Sequence, residues 1–262
     1  MDPPPPKRMT FQEPDEPGQE SLSDPPSAPE ENILSTYAAS TILSSFTSFL
    51  TLTIHTLLHH RDLYPSTTFI TVRALNLPVY QSRHPAVCAW VNAAVSSLLP
   101  HLRAGTLAKV VFSIHAGETL DVQEKWVIDV SHLPHDWGEE FDPAAAAAAA
   151  AAADEEVVEE EDVPMVDINE SYRGALQRIA FKAEKLPPPP KGSTFTLALE
   201  LRDDAAAPIG QPQPWIPVQK HKGKVPAQAQ RTVTTPIRAV HAGPIFFECW
   251  VEQVDTSKHT SS

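Results

Sequence analysis

Apolar residues recur with different periods in different parts of this chain. From Ile33 to about Arg61 they return every three or four positions. Ile42, Phe46, Phe49, Thr53 and Leu57 make one stripe, which Leu43, Leu50, Ile54 and Leu58 widen. That period predicts a helix. No charged residue stands between Glu31 and Arg61, so length and hydropathy alone suit a membrane span. The serines and threonines within it and the mid-helix His55 fit better a central helix covered on most sides. Tyr64-Pro65 ends it, because proline disfavours the α conformation in the residue before it. Short extended stretches follow at Phe69–Val72 and Leu77–Tyr80. A second helix opens at His84-Pro85 and buries Val87, Trp90, Val91, Ala94, Val95, Leu98 and Leu102 before a stop at Gly105.

The period then shortens to two. Val110, Phe112 and Ile114 alternate, a turn follows at Ala116-Gly117-Glu118, and Trp126, Ile128 and Val130 alternate in turn. This predicts a hairpin with one face on the core. A third helix is expected from Asp167, with Glu170 completing a capping pair and Tyr172, Leu176, Ile179, Ala183 and Leu186 inward. Pro187 to Pro190 ends it. Two more strands are predicted, Ser193–Leu201 and Pro244–Val254. Between them lie about forty aperiodic residues with seven prolines, counting Pro244 at the edge. A loop of that length in a compact domain is functional or disordered. Trp215-Ile216 in its midst points to a loop that closes over something.

Composition modifies this picture at two places. Residues 1–31 are acidic and proline-rich, and residues 133–166 carry ten alanines (144–153) followed by seven acids within Asp154–Asp162. Both are expected to be disordered, as is the tail 255–262. These acids account for most of the net charge of −13. Without the two acidic segments acids and bases balance, which argues against binding nucleic acid through a basic face. The cluster Lys220-His-Lys-Gly-Lys224 reads as solvated. Cys88 and Cys249 sit in apolar surroundings as free thiols, and no apolar leader follows Met1, so a reducing intracellular compartment is expected.

Candidate chemistry is sparse. The chain has no phosphate-cradling glycine loop, no Cys-x-x-Cys, no His-Glu-x-x-His and no Gly-x-Ser-x-Gly. His55 and His59 stand four apart on the first helix, yet no third ligand is arranged with them, so the reading is a solvated helix end. A binding module without catalysis, metal or cofactor is the expectation. A small α/β enzyme and a scaffold acting through its acidic tails stay open as alternatives.

Several strings, in order, carry a resemblance: Asp62-Leu-Tyr-Pro65, Asn76-Leu-Pro-Val-Tyr-Gln-Ser-Arg-His-Pro85, Lys109-Val-Val-Phe112, Lys125-Trp-Val-Ile-Asp-Val130, Gly192-Ser-Thr-Phe-Thr196, Pro214-Trp-Ile216 and Trp250-Val-Glu252. Over roughly 33–132 and 167–254 the chain resembles the HORMA-domain family, and within it the branch of accessory subunits of DNA polymerase zeta. The resemblance implies an α+β fold over 32–254, with three main helices on a mostly antiparallel sheet and a C-terminal safety belt at 202–243. It implies a nuclear adaptor in translesion synthesis that captures a proline-containing peptide of the polymerase zeta catalytic subunit. The peptide pocket would be Tyr64, Trp90 and Trp215, with Trp90 where the family commonly has tyrosine. Thr234, Glu248 and Trp250 would dock the deoxycytidyl-transferase polymerase scaffold, and Arg173 would serve HORMA–HORMA pairing. An AAA+ remodeller is a further implied partner; DNA and membrane are not. A spindle-checkpoint-type HORMA adaptor is the alternative.

Overall fold

The computed structural model describes residues 36–134, 163–203, 205, 215–216 and 232–254, all within one unit of the chain, Ile33–Ser262. The expected terminal tails, the polyalanine and acidic runs and the Lys220–Lys224 cluster lie outside the described residues.

Helix α1 (Thr36–His60) is the axis of the core. Its length and composition would let it cross a membrane. Instead Ile42, Phe46, Leu50, Ile54 and Leu57 are buried inside the protein, as expected for a helix apolar on most sides. A short 3-10 turn (Ser66–Thr68) leads into a hairpin of β1 (Phe69–Ala74) and β2 (Leu77–Ser82). Leu75 and Asn76 both have positive φ, which a two-residue hairpin turn with the strands' own twist requires.

The expected second helix is two helices, α2 (Pro85–Ser96) and α3 (Leu99–Arg103). Pro100 has no N–H to return to the preceding turn, so the helical ladder breaks there. Gly105 follows with φ +62°, the predicted stop. Helix α4 (Met165–Lys185) starts two residues before Asp167, inside the stretch assigned to the insert. No side chain caps it; Glu170 pairs with Arg173 instead. Its inward face meets α1 through stacked rings of Phe49 and Tyr172, 4.8 Å apart, and Phe247 closes on Phe46 at 5.4 Å.

Five strands form one antiparallel sheet in the order β5-β3-β4-β7-β6, where β3 is Leu107–His115, β4 Val122–Asp129, β5 Thr194–Leu201, β6 Thr232–Ala242 and β7 Ile245–Val254. Strand β6 corrects the expectation of an aperiodic 202–243. Its pattern was obscured by Pro236 and consecutive threonines. An edge strand tolerates proline because one row of its N–H groups needs no partner, and the pairing with β7 shifts register between Pro236 and Arg238. The hairpin expected to bury one face buries both at its centre. Val111 and Val127 lie in an outer-face row with Ala198, Trp250 and Pro236, and both are buried.

A polar knot ties the layers together. Arg61, just past α1, is 2% exposed. Its Nε donates to Glu124 Oε2 at 3.1 Å, Nη1 to the carbonyls of Ala183 (2.9 Å) and Leu186 (3.2 Å), and Nη2 to Glu124 Oε1 and the carbonyl of Pro187. All five N–H groups of the guanidinium therefore find acceptors. Trp126 Nε1 adds a bond to Glu124 Oε2 at 3.2 Å. The knot joins the end of α1, strand β4 and the end of α4, which leads directly to β5.

Candidate functional site

The chain turns sharply after α1, with Asp62 at φ +49°, and Pro65 then holds Tyr64 in a half-buried position facing the start of β5. On the other side, α2 begins with Pro85 at its first position, where a missing N–H is harmless. Ser82 fixes the angle of that first turn. Its Oγ accepts the His84 N–H at 3.2 Å, and its carbonyl accepts from Cys88 Sγ at 3.0 Å. Arg83 N–H also bonds to the Thr68 carbonyl at 2.7 Å. These contacts present Trp90 outward at 42% exposure, which corrects its expected place in the buried stripe of the helix.

Between these elements runs a groove of about 430 Å3 lined by Tyr64, Thr68, Ser82, Val87, Trp90 and Phe195 among others. That volume lies within the range of ligand pockets, ~300–1,000 Å3. The lining is mostly apolar, and Phe195 is its centre. Phe195 stacks on Phe112 at 5.3 Å and meets Trp90 edge-on at 5.3 Å and Tyr64 edge-on at 6.2 Å. Phe195 is the second residue of β5, an edge of the sheet. Among the described residues, the groove therefore adjoins a strand that pairs on one side only, with β3.

The structure brings Tyr64 and Trp90 together and leaves Trp215 out of their groove. Trp215 lies half-buried against the core, its Nε1 donating to the Ser97 carbonyl at 3.3 Å. Ser97 follows α2, seven residues from Trp90, which is roughly 10 Å along a helix. Phe195 stands in the groove where Trp215 was expected. The signal for it was the alternation of Phe195, Leu197, Leu199 and Leu201 in the quoted strand.

The residues expected on a second surface do share a face. Thr234 pairs with Glu252, Pro236 with Trp250 and Ala239 with Glu248, and alternation places Glu248, Trp250 and Glu252 outward. Trp250 Nε1 donates to Glu252 Oε1 at 3.0 Å, and Lys109 Nζ stands 5.8 Å from the centre of its ring. Strand β7 lies inside the sheet, between β4 and β6. Arg173 is on α4 beside Glu170, in a polar groove shared with Arg238.

The histidine pair of α1 is not a solvated helix end. His55 is 3% exposed, and its Nδ1 faces the Ser82 N–H at 3.5 Å. His59 stacks on Tyr80, 3.5 Å between ring centres. Burial lowers the pKa of both below the ordinary 6.5. No group of three or more His, Cys, Asp or Glu side chains among the described residues is placed to hold a metal. Burial, aided by the charge of Glu248, pushes the Cys249 thiol up to about 12, which keeps it protonated and inert.

Comparison with known proteins follows the same outline. The chain is 28% identical over 213 residues to the DNA polymerase zeta processivity subunit of Schizosaccharomyces pombe, covering 81% of this chain and 92% of the relative. It is 25% identical over 163 residues to the mitotic spindle assembly checkpoint protein MAD2A of Dictyostelium discoideum, covering 62% and 70% respectively. Among solved structures, a chain of the mitotic checkpoint complex superposes with a TM-score of 0.59 at 16% identity, covering 81% of this chain and 98% of that one. Caenorhabditis elegans HTP-2 bound to the HIM-3 closure motif superposes at 0.51 with 12% identity, over 84% and 92%. At such identities the likeness concerns the fold alone. The family model for the HORMA domain matches residues 43–243, a span that takes in most of α1, the groove, the polar knot and β6: the chain belongs to the HORMA-domain family.

Proposed function

We propose that this protein is a non-catalytic nuclear adaptor of translesion DNA synthesis. It captures a proline-containing peptide of the polymerase zeta catalytic subunit and bridges it to the deoxycytidyl-transferase polymerase scaffold. The observation that carries the reading is the aromatic groove beside the open edge of β5. An extended peptide added to that edge gains main-chain hydrogen bonds, and its alternate side chains enter the groove. Prolines suit such a ligand because they are extended before binding and face aromatic walls well. The likeness to the S. pombe processivity subunit supports the choice of partner.

Connectivity supports a belt. The chain leaves the sheet at β5 and returns at β6, the opposite edge. The two edges are four strand spacings apart, about 19 Å. The thirty residues of 202–231 reach several times farther when extended, enough to pass over a bound peptide. Lengthening such a loop adds little to its closure entropy. In this reading Trp215 pins the belt at the α2–α3 junction. The face around Trp250, Glu248 and Thr234 is free to dock the second partner, and Arg173 serves pairing with another HORMA protein.

The likeness to a spindle assembly checkpoint protein favours one other reading, a checkpoint-type adaptor with the same groove and a different peptide. Anisotropy with labelled peptides separates the two. Slow, tight capture of a catalytic-subunit peptide, lost on Tyr64→Ala or Trp90→Ala and released many-fold faster from Trp215→Ala, is expected. Preference for a checkpoint partner's peptide transfers the protein to the second reading, and capture of neither overturns both.

A further inference from the structure

A second groove runs between α4, β6 and the turn joining β1 to β2. Its volume is about 550 Å3 and its lining is polar, with Asn76, Glu170, Ser171, Arg173, Gln177 and Arg238 among the residues around it. Arg238 follows the register shift of β6, the kind of irregularity that re-aims a side chain. Its guanidinium reaches α4 and lies over Gly174. A Cβ on that glycine would stand 3.0 Å from Nη1 and 3.2 Å from Cζ of Arg238. Glycine inside a helix is destabilising relative to alanine, and here the missing side chain is the room the guanidinium occupies.

Arg238 is otherwise unaccounted for. Among the described residues its Nε is buried with no acceptor, and the guanidinium has no carboxylate partner, in contrast to Arg61 with acceptors for all five donors. Arg173 beside it pairs, among the described residues, with Glu170. Two guanidiniums thus line a groove wide enough for a peptide side chain, and the groove's carboxylate, Glu170, pairs with Arg173. A buried donor without an acceptor is rare in folded proteins. The planar guanidinium fork matches a carboxylate through two parallel hydrogen bonds.

We propose that this groove is a carboxylate-binding site for an acidic peptide segment, with Arg238 as the two-pronged anchor and Arg173 as the second cation. The amides of Asn76 and Gln177 and the hydroxyl of Ser171 offer further donors along the same wall. The chain itself carries a sequence of this kind, Asp154-Glu-Glu-Val-Val-Glu-Glu-Glu-Asp162, joined to α4 through Val163 and Pro164. Tethering raises the effective concentration of such a segment at the groove. The same chemistry is available from a partner's acidic stretch, and the test distinguishes the two sources.

The probe is a fluorescent peptide with the sequence of residues 154–162, titrated against the full chain by anisotropy. Expected are binding that weakens steeply with salt and a tenfold or greater loss when the acids of the peptide are replaced by their amides. Arg238→Ala should lose at least tenfold, and Arg173→Ala several-fold. Arg238→Lys keeps the charge and loses the fork; it should fall between wild type and Arg238→Ala, with thermal melts confirming that each variant folds. Binding by Arg238→Ala within twofold of wild type, or equal binding of the amide peptide, overturns the proposal. A chain whose own seven acids at 154–162 are neutralised decides the source. Several-fold tighter binding of the probe identifies the chain's own run as the resident ligand, and unchanged binding assigns the site to a partner's segment. Both results require, and so support, the site.

Discussion

The groove at the β5 edge collects its aromatic rings from three separate parts of the chain: the turn after α1, helix α2 and strand β5. The face around Trp250 comes from alternation along one strand and the residue opposite it on the next. The groove is concave and mostly apolar, and the face is flat, with its tryptophan bracketed by Glu248, Glu252 and Lys109. A surface built from one strand survives as long as the sheet does. A groove assembled from three elements depends on every contact that holds those elements at their angles. The Ser82 bonds to His84 and Cys88 are such contacts, and so is the Arg61 knot at the head of the segment leading to β5.

The largest effect is expected where both regions share a support. Arg61→Ala leaves Glu124 buried without its cation, and breaking a buried pair in this way costs about 3–5 kcal/mol. Urea denaturation should show the loss directly, and both partners should be lost together. A variant of undiminished stability would remove the knot from the account. Next in size is the groove. Tyr64→Ala with Trp90→Ala should weaken peptide capture by about 2 kcal/mol or more if the pair forms the hot spot, while a pulldown with the polymerase scaffold is unchanged. Parallel loss of both partners would mean the two regions are not independent.

Trp250→Ala is the reciprocal experiment. Scaffold binding should fall by roughly 2 kcal/mol and peptide release should not change. Some stability should go as well, because Trp250 stands opposite the buried Val127 on the outer face; thermal melts will separate that from the binding loss. The smallest effect is that of pH. His55 is buried and its pKa is depressed, by burial, below the ordinary 6.5, so the unfolded chain binds protons that the folded chain refuses. Stability from this source is complete above about pH 6.5 and is lost as pH falls below it. The midpoint of thermal unfolding should drop between pH 7 and 5. A His55→Gln variant should show a shallower drop; an identical slope would assign the effect to other groups.

Some of this was legible along the chain. The three- and four-residue stripe of α1, the alternation of β3 and β4 and the proline stop after α4 are local signals, each produced by the geometry of the element itself. The family strings named Tyr64 and Trp90 together, and the two line one groove. Strand β6 was missed because Pro236 reads as a breaker unless the strand is known to be an edge, and edge status is a property of the whole sheet. The family resemblance implied a place for Trp215 in the groove; its indole instead meets the Ser97 carbonyl, which no spacing rule connects to it.

What the sequence determined by itself was therefore most of the elements and the buried faces of most of those. Those follow from periodicity and composition, which act within ten or twenty residues. Tertiary structure decided which charges are interior and which aromatic rings meet. Arg61 and Glu124 are sixty-three positions apart, and Phe195 reaches Trp90 only because β5 pairs with β3 beside α2. Burial of a charge, contact between distant rings and a guanidinium laid over Gly174 are all consequences of chain return, and no local pattern encodes where a chain returns.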